Sequence, residues 1–151
     1  MQWVTQNKVK IDRTASAWLI RRHIDPAAEF LFVERDTIPQ AVAAGARPFH
    51  NLVVPGVARE RSTFQDLLIE HGLDETDPAL VLMGEAVRNA ESAGWSKQDS
   101  SHASIWAIAV GNWSLSKDDA ELVERLLPVY DAIYAFSRLR AAENSDWRGD
   151  H

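Results

Sequence analysis

Asp12, Arg13, Ser16 and His23 fall within one apolar arc when residues 11–24 are wound as a helix at about 100° per residue. Ala15, Ala17, Leu19, Ile20 and Ile24 share that arc, while Thr14 and Arg21 point away. A face that buries an acid, a guanidinium, a hydroxyl and an imidazole must pair them with one another, with a ligand or with backbone. This helix is therefore the candidate wall of a binding site. Arg13, Arg21, Arg22, Arg59 and Arg61 carry guanidinium forks that match tetrahedral oxyanions. Arg21 lies on the outward side, which predicts solvent or a surface ion pair. Arg13 sits inside the arc, where ligand binding and a structural ion pair weigh about equally. Asp12 admits three roles: capping the helix, pairing with an arginine, or acting as a general base or metal ligand.

Ser16, Asp12 and His23 do not make a catalytic triad within this helix. Seven positions at 1.5 Å rise separate Ser16 from His23 by roughly 10 Å, against the ~3 Å that proton transfer needs. No Gly-x-Ser-x-Gly turn surrounds Ser16. A base from elsewhere would be His50 or His102, and Asp12 and His102 are the candidate proton carriers. His50, His71 and His102 show no paired metal-ligand spacing. A metal at His50 or His102 would need Glu60, Asp66 or Glu85 from other elements. His71, expected in a last helical turn, reads as structural. Trp18, Trp106, Trp113, Tyr130 and Tyr134 either line a pocket or fill the core. Asp119, Glu121, Glu124 and Arg125 read as a solvated face.

The elements that must position these residues follow from local signals. Trp3-Val4-Thr5 opens as a strand, and Asp12 is placed to cap a first helix that Asp25-Pro26 ends. Glu29 to Val33 reads as a buried strand. Thr37 and Pro39 start a brief helix that Gly45 closes, and Phe49 to Val54 is a further strand stopped by Pro55-Gly56. Ser62 caps a helix carrying Phe64, Leu67 and Leu68, with Gly72 as its stop. Asp77-Pro78 opens the next helix, with Leu80, Met83, Gly84 and Val87 at helical spacing. Trp95 to Ser101 is a polar loop. His102 to Trp113 is apolar nearly all round, which predicts the central buried helix. Ser116 is expected to start the last helix, with a kink near Pro128.

The 151 residues suit one domain, taken as 1–142 with a flexible tail at 143–151. Apolar residues make up 46% and charged residues 25%, which suits a water-soluble globule. A net charge of −6 and pI near 5.3 argue against a nucleic-acid partner for this chain alone. The absence of cysteine rules out disulfides and thiolate-bound metal, and leaves the cofactor otherwise open. No apolar run spans a membrane and the N-terminus lacks a signal-peptide core, so cytoplasmic residence is expected. The expected fold is α+β and mainly helical: a small sheet of short N-terminal strands packed against about five helices.

Trp3-Val4-Thr5, Ile11-Asp12-Arg13, Trp18-Leu19-Ile20-Arg21-Arg22, Ile24-Asp25-Pro26 and Glu29-Phe30-Leu31-Phe32-Val33 together resemble the C-terminal domain of chromate-resistance proteins of the ChrB type. Pro55-Gly56-Val57, Glu60-Arg61, Thr63-Phe64 and Tyr130-Asp131-Ala132-Ile133-Tyr134-Ala135 fit the same pattern. The resemblance implies a cytoplasmic bacterial protein linked to chromate or related stress. The chain departs from that pattern at Ser16 and Ser62, where cysteine is usual, and at Gln65, where an acid is usual. It also lacks a histidine between Val57 and Thr63.

The first functional expectation is a pocket by the first helix that binds a small anion or metabolite through Asp12, Arg13, Trp18, Arg22, Arg59 and Arg61. The second is a small-molecule enzyme on the same fold, using acid–base chemistry with or without a metal. The third is a subunit that pairs with a copy of itself through an aromatic surface.

Overall fold

Alternation in the first strand decides how the sheet meets the helices. β1 (Gln2–Gln6) directs Val4 into a small cluster with Ile38 and Ala46, and Trp3 into the main core. The computed structural model describes residues 1–49, 60–93 and 100–150. β2 (Glu29–Val33) pairs parallel to β1 in the register Gln2↔Glu29 to Gln6↔Val33, but at the edge of the sheet, so it is half-buried and not the buried strand its apolar run suggests. β3 (Arg47–Pro48) pairs parallel on the other side of β1, giving the order β2-β1-β3 among the described residues. Parallel neighbours require a crossover, and the first helix supplies it between β1 and β2. The strand expected at Phe49 to Val54 is met only by Arg47–Pro48 and the Phe49 amide, which donates to the Val4 carbonyl at 3.0 Å. Residues 50–54 and the Pro55-Gly56 stop lie outside the described residues, as does most of the loop expected at Trp95 to Ser101.

α1 (Ile11–Leu19) is the central helix, with Ile11, Thr14, Ala15, Ser16, Ala17, Trp18 and Leu19 all buried. The helical run ends at Ile24, as the Asp25-Pro26 signal predicts, but its last five residues, Ile20–Ile24, form a π-turn. The Asp25 amide donates to the Ile20 carbonyl at 2.6 Å, the five-residue reach of that geometry. Two expectations for α1 need correction. Asp12 does not cap it: the N-cap position is Lys10, with no side-chain bond. Thr14 does not face solvent, because α7 lies against that side of the helix and receives its hydroxyl.

A short 3-10 turn (Arg35–Thr37) leads into α2 (Ile38–Ala43), with Pro39 in its first turn. Thr37 holds the N-cap position without a side-chain bond. α3 (Thr63–Glu70) opens on a full capping box, in which Ser62 and Gln65 satisfy each other's amides. Gly72, at φ 65°, supplies the left-handed residue before α4 (Leu73–Thr76). α5 (Pro78–Ala93) is capped by Asp77, which accepts from Ala79 at 3.0 Å and Leu80 at 3.2 Å. Gly84 lets α5 approach α3 closely; a Cβ there would sit 3.3 Å from Phe64 and Gln65. Trp18, Phe64, Leu80, Met83, Leu126 and Tyr130 tie α1, α3, α5 and α7 into one core. Each such apolar side chain contributes about 1.5–3 kcal/mol by burial.

α6 (Ser100–Leu115) packs against α5 and α7, and it is not the central helix its composition suggests. Ile108 and Trp113 are 44% and 38% exposed, and only Ala109 is buried among its described side chains. α7 (Asp119–Asp150) begins after Asp118, whose carboxylate accepts from the Glu121 amide at 2.9 Å. Asp118 thus takes the starting role expected of Ser116, whose hydroxyl has no partner among the described residues. Pro128 lies inside α7. No described helix is long and apolar enough to cross a membrane.

Candidate functional site

The head of α1 is held by side chains from two other elements, α5 and α7, and in turn holds the start of α3. Three carboxylates each accept two backbone amides there. Asp119 takes Lys8 and Val9, both at 2.9 Å. One oxygen of Glu91 takes Ile11 and Asp12, at 3.2 and 3.3 Å, and so supplies the N-terminal capping that α1 lacks locally. Asp12 accepts from Thr63 at 2.9 Å and Phe64 at 3.0 Å, so it caps α3 and not its own helix. Asp119 is therefore not part of a solvated face. Arg13 donates to the carbonyls of Gln6, Asn7 and Lys8, at 2.5, 3.4 and 3.4 Å. These contacts fix the loop in which Lys8 holds a left-handed φ of 59°. Burial pulls the Arg13 guanidinium below its ordinary value, against Glu91, Asp12 and Asp119, which favour its charge. Ser16 donates to the Asp12 carbonyl at 2.7 Å. Tyr130 donates to the Ile11 carbonyl at 3.1 Å and lies 2.7 Å from the Thr14 hydroxyl. Full burial pushes the Tyr130 phenol well above its ordinary range.

A second cluster gathers at the tail of α1 and the π-turn. Trp18 donates its indole N–H to Asp131 at 2.7 Å, and Arg22 forks onto the same carboxylate at 3.1 and 3.0 Å. The His23 ring packs between Trp18 (5.2 Å) and Tyr134 (5.1 Å). Tyr134 donates to Asp77 at 2.5 Å; burial and that carboxylate push its phenol up to about 12. Arg21 pairs with Glu124 and lies 5.0 Å over the Phe30 ring, which is the surface ion pair expected of it.

A mostly apolar cavity of about 280 Å³ opens beside the head of α1. Lys10, Ile11, Glu91, Ala109, Val110 and Trp113 line it. Asp12 and Arg13 stand next to it in sequence but do not line it. Arg61 pairs with Asp66 at 3.0 Å. Arg22 and Trp18 belong to the second cluster, so the structure does not bring the expected arginines to one point. His50 and Arg59 lie outside the described residues, as do the side chains of His102 and Trp106. Among the described residues no group of three or more His, Asp and Glu is placed to hold a metal. A larger apolar groove of about 540 Å³ lies between α5, α6 and α7, with Phe136 62% exposed at its edge.

Sequence reasoning missed Lys10 and Glu91 as cavity residues, and Asp131 as the acceptor for Trp18 and Arg22. Glu91 lies 80 positions from Ile11, and Asp131 lies 113 from Trp18. No local spacing marks such pairs. Lys10 alone carried a signal: a cation directly before a helix whose first turn is apolar on one side.

Fold and geometry together define a mainly helical α+β domain with a small parallel sheet and a cavity at the head of its central helix. The chain belongs to the family described as ChrB, C-terminal domain, which matches residues 3–137. The resemblance carried by the first third of the sequence is thereby borne out. Protein ChrB of Cupriavidus metallidurans is 32% identical over 133 residues, covering 88% of this chain and 40% of that protein. The chain thus spans about 40% of the length of that relative. No solved structure matches it.

Proposed function

We propose that this domain binds a small organic anion in the cavity at the head of α1, within a cytoplasmic, stress-linked protein of the chromate-resistance type. The observation that carries the reading is Lys10. It lines an apolar cavity and has no ion-pair partner among the described residues. The helix dipole supplies little by comparison, because Glu91 already occupies the first amides of α1. Arg13, Arg22 and Arg61 are each engaged by backbone carbonyls or a carboxylate, which leaves Lys10 as the available cation among the described cavity residues. Ile11, Val110 and Trp113 favour an anion with an apolar body over a bare oxyanion. Asp12 and Arg13 act by position in this reading: one holds α3 against α1, the other sets the loop that carries Lys10. The family resemblance supports the stress link.

A thermal-shift series tests the reading. Benzoate, phenylacetate and 3-phenylpropanoate are expected to raise the melting temperature, and chromate, sulfate and phosphate to act more weakly. A ligand at one hundred times its Kd adds about 2.7 kcal/mol. Lys10→Gln is expected to weaken carboxylate binding at least tenfold. Silence from all three carboxylates and from L-phenylalanine, which carries the same carboxylate, defeats the proposal, and so does a shift that Lys10→Gln leaves intact.

A further inference from the structure

We infer that the cavity selects a zwitterion: a free amino acid with an aromatic or large apolar side chain. The inference rests on the anion reading above and narrows it. Lys10 and Glu91 both line the cavity, yet they form no ion pair with each other. Glu91 spends one carboxylate oxygen, Oε2, on the amides of Ile11 and Asp12. Its other oxygen has no hydrogen-bond partner among the described residues. Among the described residues, the cavity therefore presents one unpaired cation and one half-used carboxylate beside an apolar wall of Ile11, Ala109, Val110 and Trp113.

A plain organic acid that reaches Lys10 must bring its negative charge near Glu91. Like charges that share one cavity repel. A ligand carrying an ammonium as well turns that repulsion into attraction, because the ammonium can donate to the free oxygen of Glu91. An α-amino acid places both charges on one carbon and leaves its side chain to cover the apolar wall. The volume of about 280 Å³ lies at the small end of ligand sites, which suits one such molecule and not a peptide. The indole of Trp113, 38% exposed, gives an aromatic side chain a stacking surface.

Titration calorimetry with three probes separates the terms. L-Phenylalanine carries both charges, 3-phenylpropanoate lacks the ammonium, and 2-phenylethylamine lacks the carboxylate. L-Phenylalanine is expected to bind at least tenfold more tightly than either. Glu91→Gln keeps a carbonyl acceptor for the two amides, and should weaken L-phenylalanine to the level of 3-phenylpropanoate without weakening 3-phenylpropanoate itself. If 3-phenylpropanoate matches L-phenylalanine on the unaltered protein, the zwitterion inference falls and the anion reading stands. If neither binds, or if 2-phenylethylamine binds as tightly as L-phenylalanine, both fall. The comparison on the unaltered protein decides the matter even where Glu91→Gln fails to fold.

Discussion

The two ends of the central helix solve the same problem with different partners. At the head of α1, Asp12, Glu91 and Asp119 close on backbone amides, and Arg13 closes on backbone carbonyls. At the tail and the π-turn, Asp131 closes on Trp18 and Arg22, and Tyr134 on Asp77, side chain to side chain. Backbone groups at helix ends and in loops have no way to turn toward water when their partner is lost. Long side chains such as Arg22 do. Polar residues that look catalytic on a helical wheel can therefore be holding a neighbouring element in place. Among the described cavity residues, Lys10 is engaged by no carboxylate, and Glu91 gives only one of its two oxygens to backbone amides.

Asp12→Ala should give the largest loss among changes that touch this contrast. It leaves the Thr63 and Phe64 amides without their acceptor and removes a charge from the start of α3. Charge-assisted capping bonds of this kind support a loss of about 2 kcal/mol. Urea denaturation would measure it, and Asp12→Asn, which keeps one carbonyl oxygen, should restore about half. Asp131→Ala removes an acceptor of three hydrogen bonds, yet a smaller loss of about 1 kcal/mol is expected. Water can replace the carboxylate at Arg22, whose side chain is 41% exposed, and only the Trp18 indole N–H is left wanting. Equal losses for the two variants would break the distinction between backbone and side-chain partners.

What was legible in the sequence was local. The Ser62–Gln65 box, the Asp77-Pro78 start, the Asp25-Pro26 stop and the strand at Glu29–Val33 are each set by residues within a few positions of one another. The family resemblance rested on the same kind of signal. What was not legible crosses the fold. Asp12 meets Thr63 across 51 positions, and Asp119 meets Val9 across 110. A helical wheel treats such acids as solvated or as caps for their own helix. It misplaced Thr14 because it assumes one covered side, whereas α1 is enclosed by α3, α5 and α7. It misplaced α6 for the opposite reason: an apolar helix reads as central, but α6 is covered only where α5 and α7 meet it, and Ile108 and Trp113 are left open. The candidate site suffered most, since both charges of the cavity lie outside the arc that drew attention to Asp12 and Arg13.

The smallest effect concerns His23, where the tail of α1 offers what the head does not: a titratable ring held by aromatic packing. Burial lowers the imidazole below its ordinary value of 6.5, although Asp77 and Asp131 oppose the shift. As pH falls past that ordinary value, the unfolded chain takes up a proton that the folded chain still refuses. The domain therefore loses stability on acidification, from about pH 6.5 down to the depressed value in the folded state, and the loss is complete below it. His23→Phe keeps a flat ring between Trp18 and Tyr134 and cannot titrate. Melting temperatures taken between pH 7 and pH 5 should fall less steeply for this variant than for the unaltered protein, with the two nearly equal at pH 7. Identical slopes would mean that Asp77 and Asp131 offset the burial of His23, and the tail would then be as insensitive to pH in this range as a purely structural contact.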